Sequence, residues 1–309
     1  MRRSIRIALV GLGKVAHDQH LPAIAQSSCF ELVAAASPEG SAPGIPVFHT
    51  LDEMLASGIA IDAVAMCQPP RHRFEAAAKA MRAGLHVLLE KPPAATPAQV
   101  DALTDLASVT GTTLFAAWHS RYAPAISAAQ SWLRQRRVTG VEIIWKEDVR
   151  YWHRGQQWIW EPEGLGVFDP GINALSIVTC LLATPLSVCG GTLEVPANRA
   201  APIAAQLQLQ SRDGVPIQAV FDWRHSGPQT WDIVVQTDID TLMLREGGAR
   251  LLIGSNPKIV APEQEYRRLY ARFAELISVR GIDVDAAPLW IVADAAARCG
   301  RRPVEPFED

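Results

Sequence analysis

The chain contains no CxxC pair, and its five cysteines (Cys29, Cys67, Cys180, Cys189 and Cys299) are odd in number. A disulfide framework and a thiolate-bound structural zinc are therefore not expected, and reduced thiols in the cytoplasm are. Zinc-dependent alcohol oxidation lacks its ligands for the same reason, and no metal is expected. Positive charge is not in excess: 29 lysines and arginines face 32 aspartates and glutamates, a formal charge of −3. A nucleic-acid binder needs a basic surface, so nucleic acid is not an expected partner. The densest basic spot, Arg134, Arg136 and Arg137, reads as a solvated helix end. No internal repeat and no low-complexity linker is visible. One long uncharged run exists, Pro170 to Leu193, long enough to be weighed as a membrane span. Asn173, Ser176, Thr179, Pro185 and Gly190-Gly191 interrupt it, so it reads as a buried helix, a proline stop and a strand. The opening MRRSIRIALVGLG has the charge pattern of a leader peptide, but its apolar run breaks at Gly13-Lys14 without a clean cleavage pattern, and a first strand explains it better. No membrane is an expected partner.

What is present is enough apolar material for two domains: 309 residues, 49% hydrophobic. Ile5 to Val10 is an apolar run without alternation, as in a strand buried on both faces. It flows into Gly11-Leu12-Gly13-Lys14-Val15-Ala16, a GxGxxA form of the dinucleotide fingerprint. Gly11 would allow the tight turn, Gly13 the close approach of a pyrophosphate, and Ala16 close helix–strand packing. A helical pattern follows from about His20 to Ser27, then a strand at Glu31 to Ala36. Further units alternate: a helix at Thr50 to Ser57 with a capping box, a strand at Ile61 to Cys67, a helix at Arg73 to Ala83. His86 to Glu90 is a strand, Thr96-Pro97 opens a helix that ends at Gly111, and Thr113 to Trp118 is a strand. Such alternation predicts an α/β doubly wound parallel sheet, a Rossmann domain over residues 1–119.

The second strand ends in Ala36-Ser37-Pro38, where an NAD-selective site usually carries Asp or Glu. A neutral Ser37 can donate to a 2′-phosphate and does not repel it, so NADP is expected to be preferred, with NAD also accepted. In a doubly wound sheet ligands bind outside the carboxyl ends of the strands. Lys91, in LLEKPPAAT, lies just past such an end, as does Cys67-Gln68-Pro69-Pro70. Without further context Lys91 also reads as a surface lysine.

A strand followed by Glu90-Lys91-Pro92 after a fingerprint domain resembles the Gfo/Idh/MocA oxidoreductase family. GLGKVAHDQHLPAI, CQPPRHRFEAAAKAMRAGLHVLLEKP, WHSRYAP and GVFDPGINALSI fit it as well, so the resemblance spans essentially the whole chain. It implies cofactor contacts from Gly11, Gly13, Lys14 and Val15 in the first turn. It implies others from Cys67, Gln68, Pro69 and His72, and from Glu90 and Lys91. The family's second motif is normally aspartate, three residues, histidine; here Asp169 is followed by Asn173. A spacing of four places both on one helix face.

The form DPGINALSI resembles the family's aldose 1-dehydrogenase branch. Oxidising an ordinary ring alcohol requires a good base such as histidine. The anomeric hydroxyl is more acidic, because the ring oxygen withdraws electron density, so histidine is needed less at C1. The expected substrate is a small aldose, L-arabinose or D-galactose, oxidised at C1 to the lactone. The expected catalytic residues are Lys91, Asp169 and Asn173. Lys91 would hold the reacting oxygen, and the sequence leaves open whether Lys91 or Asp169 is the base. Asp169 also reads as a helix N-cap ahead of Pro170. Another cyclic polyol of inositol type, or a non-catalytic sugar- or NADP-sensing regulator, are the competing readings.

From Ser120 the pattern changes. Residues 120–309 are expected to form an α+β substrate domain with an open, mostly antiparallel sheet. Strands are expected at Val141 to Val149, Ser187 to Glu194, Ile203 to Ser211, Val215 to Arg224, Trp231 to Thr237 and Thr241 to Arg245. Helices are expected at Ala125 to Arg137, near Pro262 to Val279 and at Pro288 to Cys299. YWHRGQQWIW, Tyr151 to Trp160, is taken to lie within that sheet. Sugars stack C–H faces on indoles and need fixed polar partners, so His119, Glu147, Trp152, His153 and Trp231 join Lys91, Asp169 and Asn173 as candidate substrate contacts. Core packing is the bland alternative for each. His17 and His20 have ligand-like spacing, but with no further acidic or cysteine cluster they read as structural. The resemblance also implies that the open sheet face serves dimers; the chain reads as monomer or homodimer.

Overall fold

The apolar runs of the first third become parallel strands in the computed structural model, which describes residues 3–162, 164–261 and 264–308. They are β1 (Ile5–Val10), β2 (Phe30–Ala36), β3 (Val47–Phe48), β4 (Ala63–Met66), β5 (His86–Glu90) and β6 (Leu114–Ala117). Between them run α1 (Leu21–Ala25), α2 (Leu51–Ala56), α3 (Arg73–Arg82) and α4 (Pro97–Thr110). The strands lie in the order β3-β2-β1-β4-β5-β6, all parallel. The order reverses direction at β1 and β4, and their carboxyl ends, Gly11 and Cys67-Gln68, flank that switch point. β4 is buried at every position, as a strand covered on both faces must be. Two of the expected caps form: Thr50 accepts from the Glu53 amide at 3.2 Å and Thr96 from the Gln99 amide at 3.3 Å. The chain is already helical from Lys14, earlier than the pattern predicted, because a π-turn at Ala16–His20 leads into α1.

The second unit opens with α5 (Ile126–Leu133), β7 (Val138–Lys146), α6 (Val149–Trp152) and α7 (Phe168–Leu182). Seven strands follow in the chain: β8 (Leu186–Pro196), β9 (Ala204–Ser211), β10 (Pro216–Asp222), β11 (Thr230–Thr237), β12 (Thr241–Arg245), β13 (Arg250–Ile253) and β14 (Asn256–Val260). Then come α8 (Glu265–Val279), β15 (Ile282–Asp283), α9 (Ala287–Arg298) and β16 (Gly300–Val304). The sheet order is β14-β13-β12-β11-β7-β10-β9-β8-β16. It is mostly antiparallel, with parallel pairs at β7–β10 and β8–β16. β9 alternates buried and exposed residues, which leaves Gln206, Gln208 and Gln210 on an open face.

The chain divides between His119 and Ser120, but residues 265–286 return to the first unit. The expectation that everything after Ser120 belongs to the substrate domain is thus corrected. α8 packs Tyr266, Tyr270 and Phe273 into the first core, where Phe273 stacks on Phe30 and Phe115, and β15 extends the parallel sheet beside β6. An amphipathic helix carries no label saying which core its apolar face meets. The start of this helix near Pro262 falls outside the described residues. YWHRGQQWIW is also corrected: β7 ends at Lys146, and the stretch forms α6 and a short 3₁₀ turn at Gln157–Trp160. Among the described residues no helix is long and apolar enough to cross a membrane.

Candidate active site

Gly11 and Gly13 differ in what makes them glycine. Gly11 has φ +95°, and a Cβ there would lie 2.7 Å from the Gln68 amide nitrogen, so the turn and the β4 end both demand it. Gly13 has no positive φ, and a Cβ there would meet nothing within 4 Å. Nothing in the chain itself requires glycine at that point; open space above the turn suits a phosphate group approaching the backbone. Beside it the Gln68 side-chain oxygen is buried without a donor among the described residues. A bound ribose or nicotinamide amide would supply one, and these residues fit an NAD(P) cofactor. Lys14 is exposed and paired with Asp18, Val15 is half-buried, and His72 is exposed with its ring accepting from Arg71 at 2.9 Å. Pro69 caps the short turn ahead of α3, and Cys67 is buried with its thiol toward the Ala65 carbonyl. Ser37 donates to the Glu39 carbonyl and accepts the Leu12 amide at 3.3 Å. Its hydroxyl hydrogen is therefore engaged in the turn rather than offered outward.

Lys91 is half-buried at the end of β5, and the Lys91–Pro92 bond is cis. Its backbone is held from two sides. Arg73, 4% exposed, donates to the carbonyls of Gln68, Glu90 and Pro92, tying the β4 and β5 ends together. Glu90, 1% exposed, accepts the Lys91 amide at 2.8 Å. The other Glu90 oxygen accepts the Tyr266 hydroxyl at 2.6 Å and meets His20 Nε2 at 3.1 Å, while His20 Nδ1 pairs with the Tyr270 hydroxyl at 2.7 Å. Burial alone pushes the Glu90 carboxyl up, but the hydrogen bond and charge of His20 bring it down to about 2. Burial likewise opposes charge on His20, yet Cys67, Tyr270 and Glu90 around the ring raise it well above its ordinary value. His20 thus stands in this network, a role its spacing did not reveal, while His17 is exposed. His119, expected at the sugar, pairs with Glu265 at 2.5 Å and stacks on Tyr266. Burial lowers it, but the Glu265 hydrogen bond and charge carry it above its ordinary value.

In the second unit the remaining candidates come together. Glu147, just past β7, is 2% exposed and accepts both the Trp231 indole at 2.8 Å and the Trp223 indole at 3.3 Å. His153 Nε2 lies 3.3 Å from the same carboxylate, and His153 Nδ1 lies 3.7 Å from Asp169. Glu147, a candidate for the sugar, has its oxygens engaged by two indoles and an imidazole, which it orients. Trp152 packs on Trp231 at 5.1 Å, and Trp160 is buried against Trp223. Asp169 is not the cap of α7, because the helix starts at Phe168 with Val167 at its cap; Asp169 sits in the first turn. Anionic groups are favoured there by the helix dipole. One turn on, the Asn173 side-chain oxygen is buried without a donor among the described residues, an acceptor suited to a sugar hydroxyl. Gly171 lets this face sit close to the sheet, since a Cβ there would lie 2.9 Å from the Phe221 ring. Trp223, fully buried, was not singled out, although the alternation Ala219, Phe221, Trp223 points it inward. Nor were Arg73, Tyr266 and Tyr270. Among the described residues no group of three or more metal-type ligands occurs.

Comparison with known proteins places this geometry in context. The model of the Gfo/Idh/MocA oxidoreductase family, NAD-binding Rossmann fold, matches residues 5–117. A galactose 1-dehydrogenase from Pseudomonas fluorescens is 46% identical over 307 residues, covering 99% of both chains. The crystal structure of a D-galactose-1-dehydrogenase from Rhizobium etli superposes with a TM-score of 0.95 at 51% identity, covering 100% of this chain and 99% of the other. The 3-ketoreductase KijD10 from Actinomadura kijaniata, solved with NADP, shares the fold at 18% identity and a TM-score of 0.86, covering 98% of this chain and 100% of the other.

Proposed function

Since the chain belongs to the Gfo/Idh/MocA family of oxidoreductases, we propose that it is an NAD(P)-dependent aldose 1-dehydrogenase. It oxidises the C1 hydroxyl of D-galactose and L-arabinose to the lactone in the cytoplasm. The observation that carries this reading is the near-full-length likeness to two galactose 1-dehydrogenases, at 46% and 51% identity. When bound, NADP or NAD accepts the hydride from C1. The Lys91 ammonium donates to the C1 oxygen and stabilises its developing charge. Asp169 takes the hydroxyl proton, and His153, held from its other ring nitrogen by Glu147, orients that carboxylate. Asn173 accepts a sugar hydroxyl through its unpartnered oxygen. The two sugars share configuration at C2, C3 and C4 and differ by a CH₂OH at C5, which gives little leverage for discrimination. NADP is preferred because no carboxylate stands at position 37, where Ser37 is neutral. Ser37 must turn from the Glu39 carbonyl to donate to a 2′-phosphate.

The test is reduction of NADP and of NAD with D-galactose, L-arabinose, D-glucose and myo-inositol. Strong reduction with the first two sugars is expected, and Lys91→Ala should lose at least ~10²-fold, the lower end of acid–base contributions. Reduction by myo-inositol alone would overturn the C1 assignment. Inactivity with every sugar would point to a sensing protein.

A further inference from the structure

We infer that the second unit carries a binding site for a small oxyanion at the C-terminal end of α7, a site separate from Asp169 and Asn173. A cavity of about 680 Å³ opens there, within the ~300–1,000 Å³ range of small-molecule pockets. Asp169 and the cavity residue Ala183 are about 20 Å apart along the helix axis, at ~1.5 Å per residue. None of the sugar-side residues lines it.

Its chemistry is set by the arginines that the sequence alone presents as a solvated helix end. Arg134, Arg136 and Arg137 all line the cavity, against one carboxylate, Asp213. Among the described residues none of the three guanidiniums forms an ion pair; Arg137 meets Asp238 only through its backbone amide, at 3.1 Å. Arg136 is held by two contacts. Its guanidinium lies 3.9 Å over the Trp132 ring, and one terminal nitrogen donates to the Trp132 carbonyl. That contact caps the end of α5 and uses a single corner of the fork. Its Nε is buried with no acceptor among the described residues. A buried N–H without an acceptor is uncommon and calls for a partner. The Nε edge of a guanidinium takes two oxygens of a phosphate or carboxylate side by side, and stacking on an indole fixes that edge in advance. Leu133, Leu181 and Val215 supply apolar walls. The ligand is therefore an oxyanion, phosphate or carboxylate, carried on a small carbon body. This inference is independent of the dehydrogenase reading.

The experiment is calorimetric titration of the full-length protein, saturated with NADP so that the nucleotide's own phosphate sites are filled, at low ionic strength. The probes are inorganic phosphate, D-galactose 6-phosphate and D-galactonate. Saturable binding of at least one probe is expected, weakened at least ~10-fold in Arg136→Gln, with D-galactose turnover unchanged. Tighter binding of the phosphates would identify a phosphate ligand, and tighter binding of galactonate a carboxylate. Because Arg136→Gln also alters an α5 cap, the exposed double variant Arg134→Gln/Arg137→Gln is titrated beside it and is expected to weaken the same binding. No saturable binding by any probe, or binding that both variants retain unchanged, would overturn the site.

Discussion

Two buried carboxylates, Glu90 in the first unit and Glu147 in the second, are built alike and hold different things. Each follows or ends a strand, and each is surrounded by three donors. Glu90 accepts the backbone amide of Lys91, so it fixes main chain. Glu147 accepts only side chains, two indoles and the His153 imidazole, so it fixes the orientation of rings. The partners differ in charge as well. Glu90 faces a buried His20 whose protonated form is favoured, a desolvated ion pair that is costly to break. Around Glu147 two of the three donors are neutral indoles. Loosening the first carboxylate should therefore unfold structure, and loosening the second should mainly disturb chemistry.

The largest break in that comparison is expected from Glu90→Ala. It leaves His20 buried without its anion and should cost about 3–5 kcal/mol of stability in denaturant unfolding. Its pH signature follows from the sign of the shift. A carboxyl at about 2 in the folded chain and 4.5 ordinarily contributes stability that is complete above pH 4.5 and is lost as pH falls toward 2. His20 is shifted upward, so its contribution is complete below its ordinary 6.5 and fades as pH rises through the folded value. Acid titrations of stability should flatten between pH 4.5 and 2 in Glu90→Ala; an unchanged slope would mean that Glu90 is not the responsible group. Tyr266→Phe removes one hydrogen bond to the same carboxylate and should cost about 1.5–3 kcal/mol, with KM for the cofactor and the sugar little changed. Glu147→Gln sharpens the other side. The amide oxygen can still accept an indole, so the fold should hold, while kcat with D-galactose falls about tenfold as the contact that holds the His153 ring weakens. A Glu147→Gln variant that unfolds while retaining specific activity would erase the distinction between the two carboxylates.

The same contrast explains what could be read from the residues alone. The first sheet was legible because doubly covered parallel strands are unbroken apolar runs, and because Thr50 and Thr96 cap their helices with side chains that announce themselves. Lys91, Asp169 and Asn173 became candidates through the family resemblance, the last two sharing a helix face by their spacing of four. The anchors of Glu90 were not legible. Tyr266 reaches it, and Tyr270 reaches its partner His20, from a helix about 176 residues later in the chain, and helical periodicity is silent about which core it joins. Arg73 sits at a helix start, where an arginine ordinarily faces water, and only the fold shows it clamping three carbonyls. Aromatic density made Tyr151 to Trp160 look like strand, but the indoles there pack against neighbouring elements from helical turns. Five strands, β3, β13, β14, β15 and β16, lie outside the sequence expectation; β3 and β15 have two residues each, and β14 and β16 are short, proline-bearing edges with no clean alternation.

The most direct test of the dehydrogenase reading follows one hydrogen. D-Galactose carrying deuterium at C1 is oxidised with NADP, and the reduced nicotinamide is analysed for the label. Transfer of deuterium from C1 to the nicotinamide, with unlabelled cofactor when the deuterium sits at C2 or C3 instead, is the predicted result. Label retained in the sugar product from C1, or transferred from another carbon, would contradict oxidation at the anomeric centre.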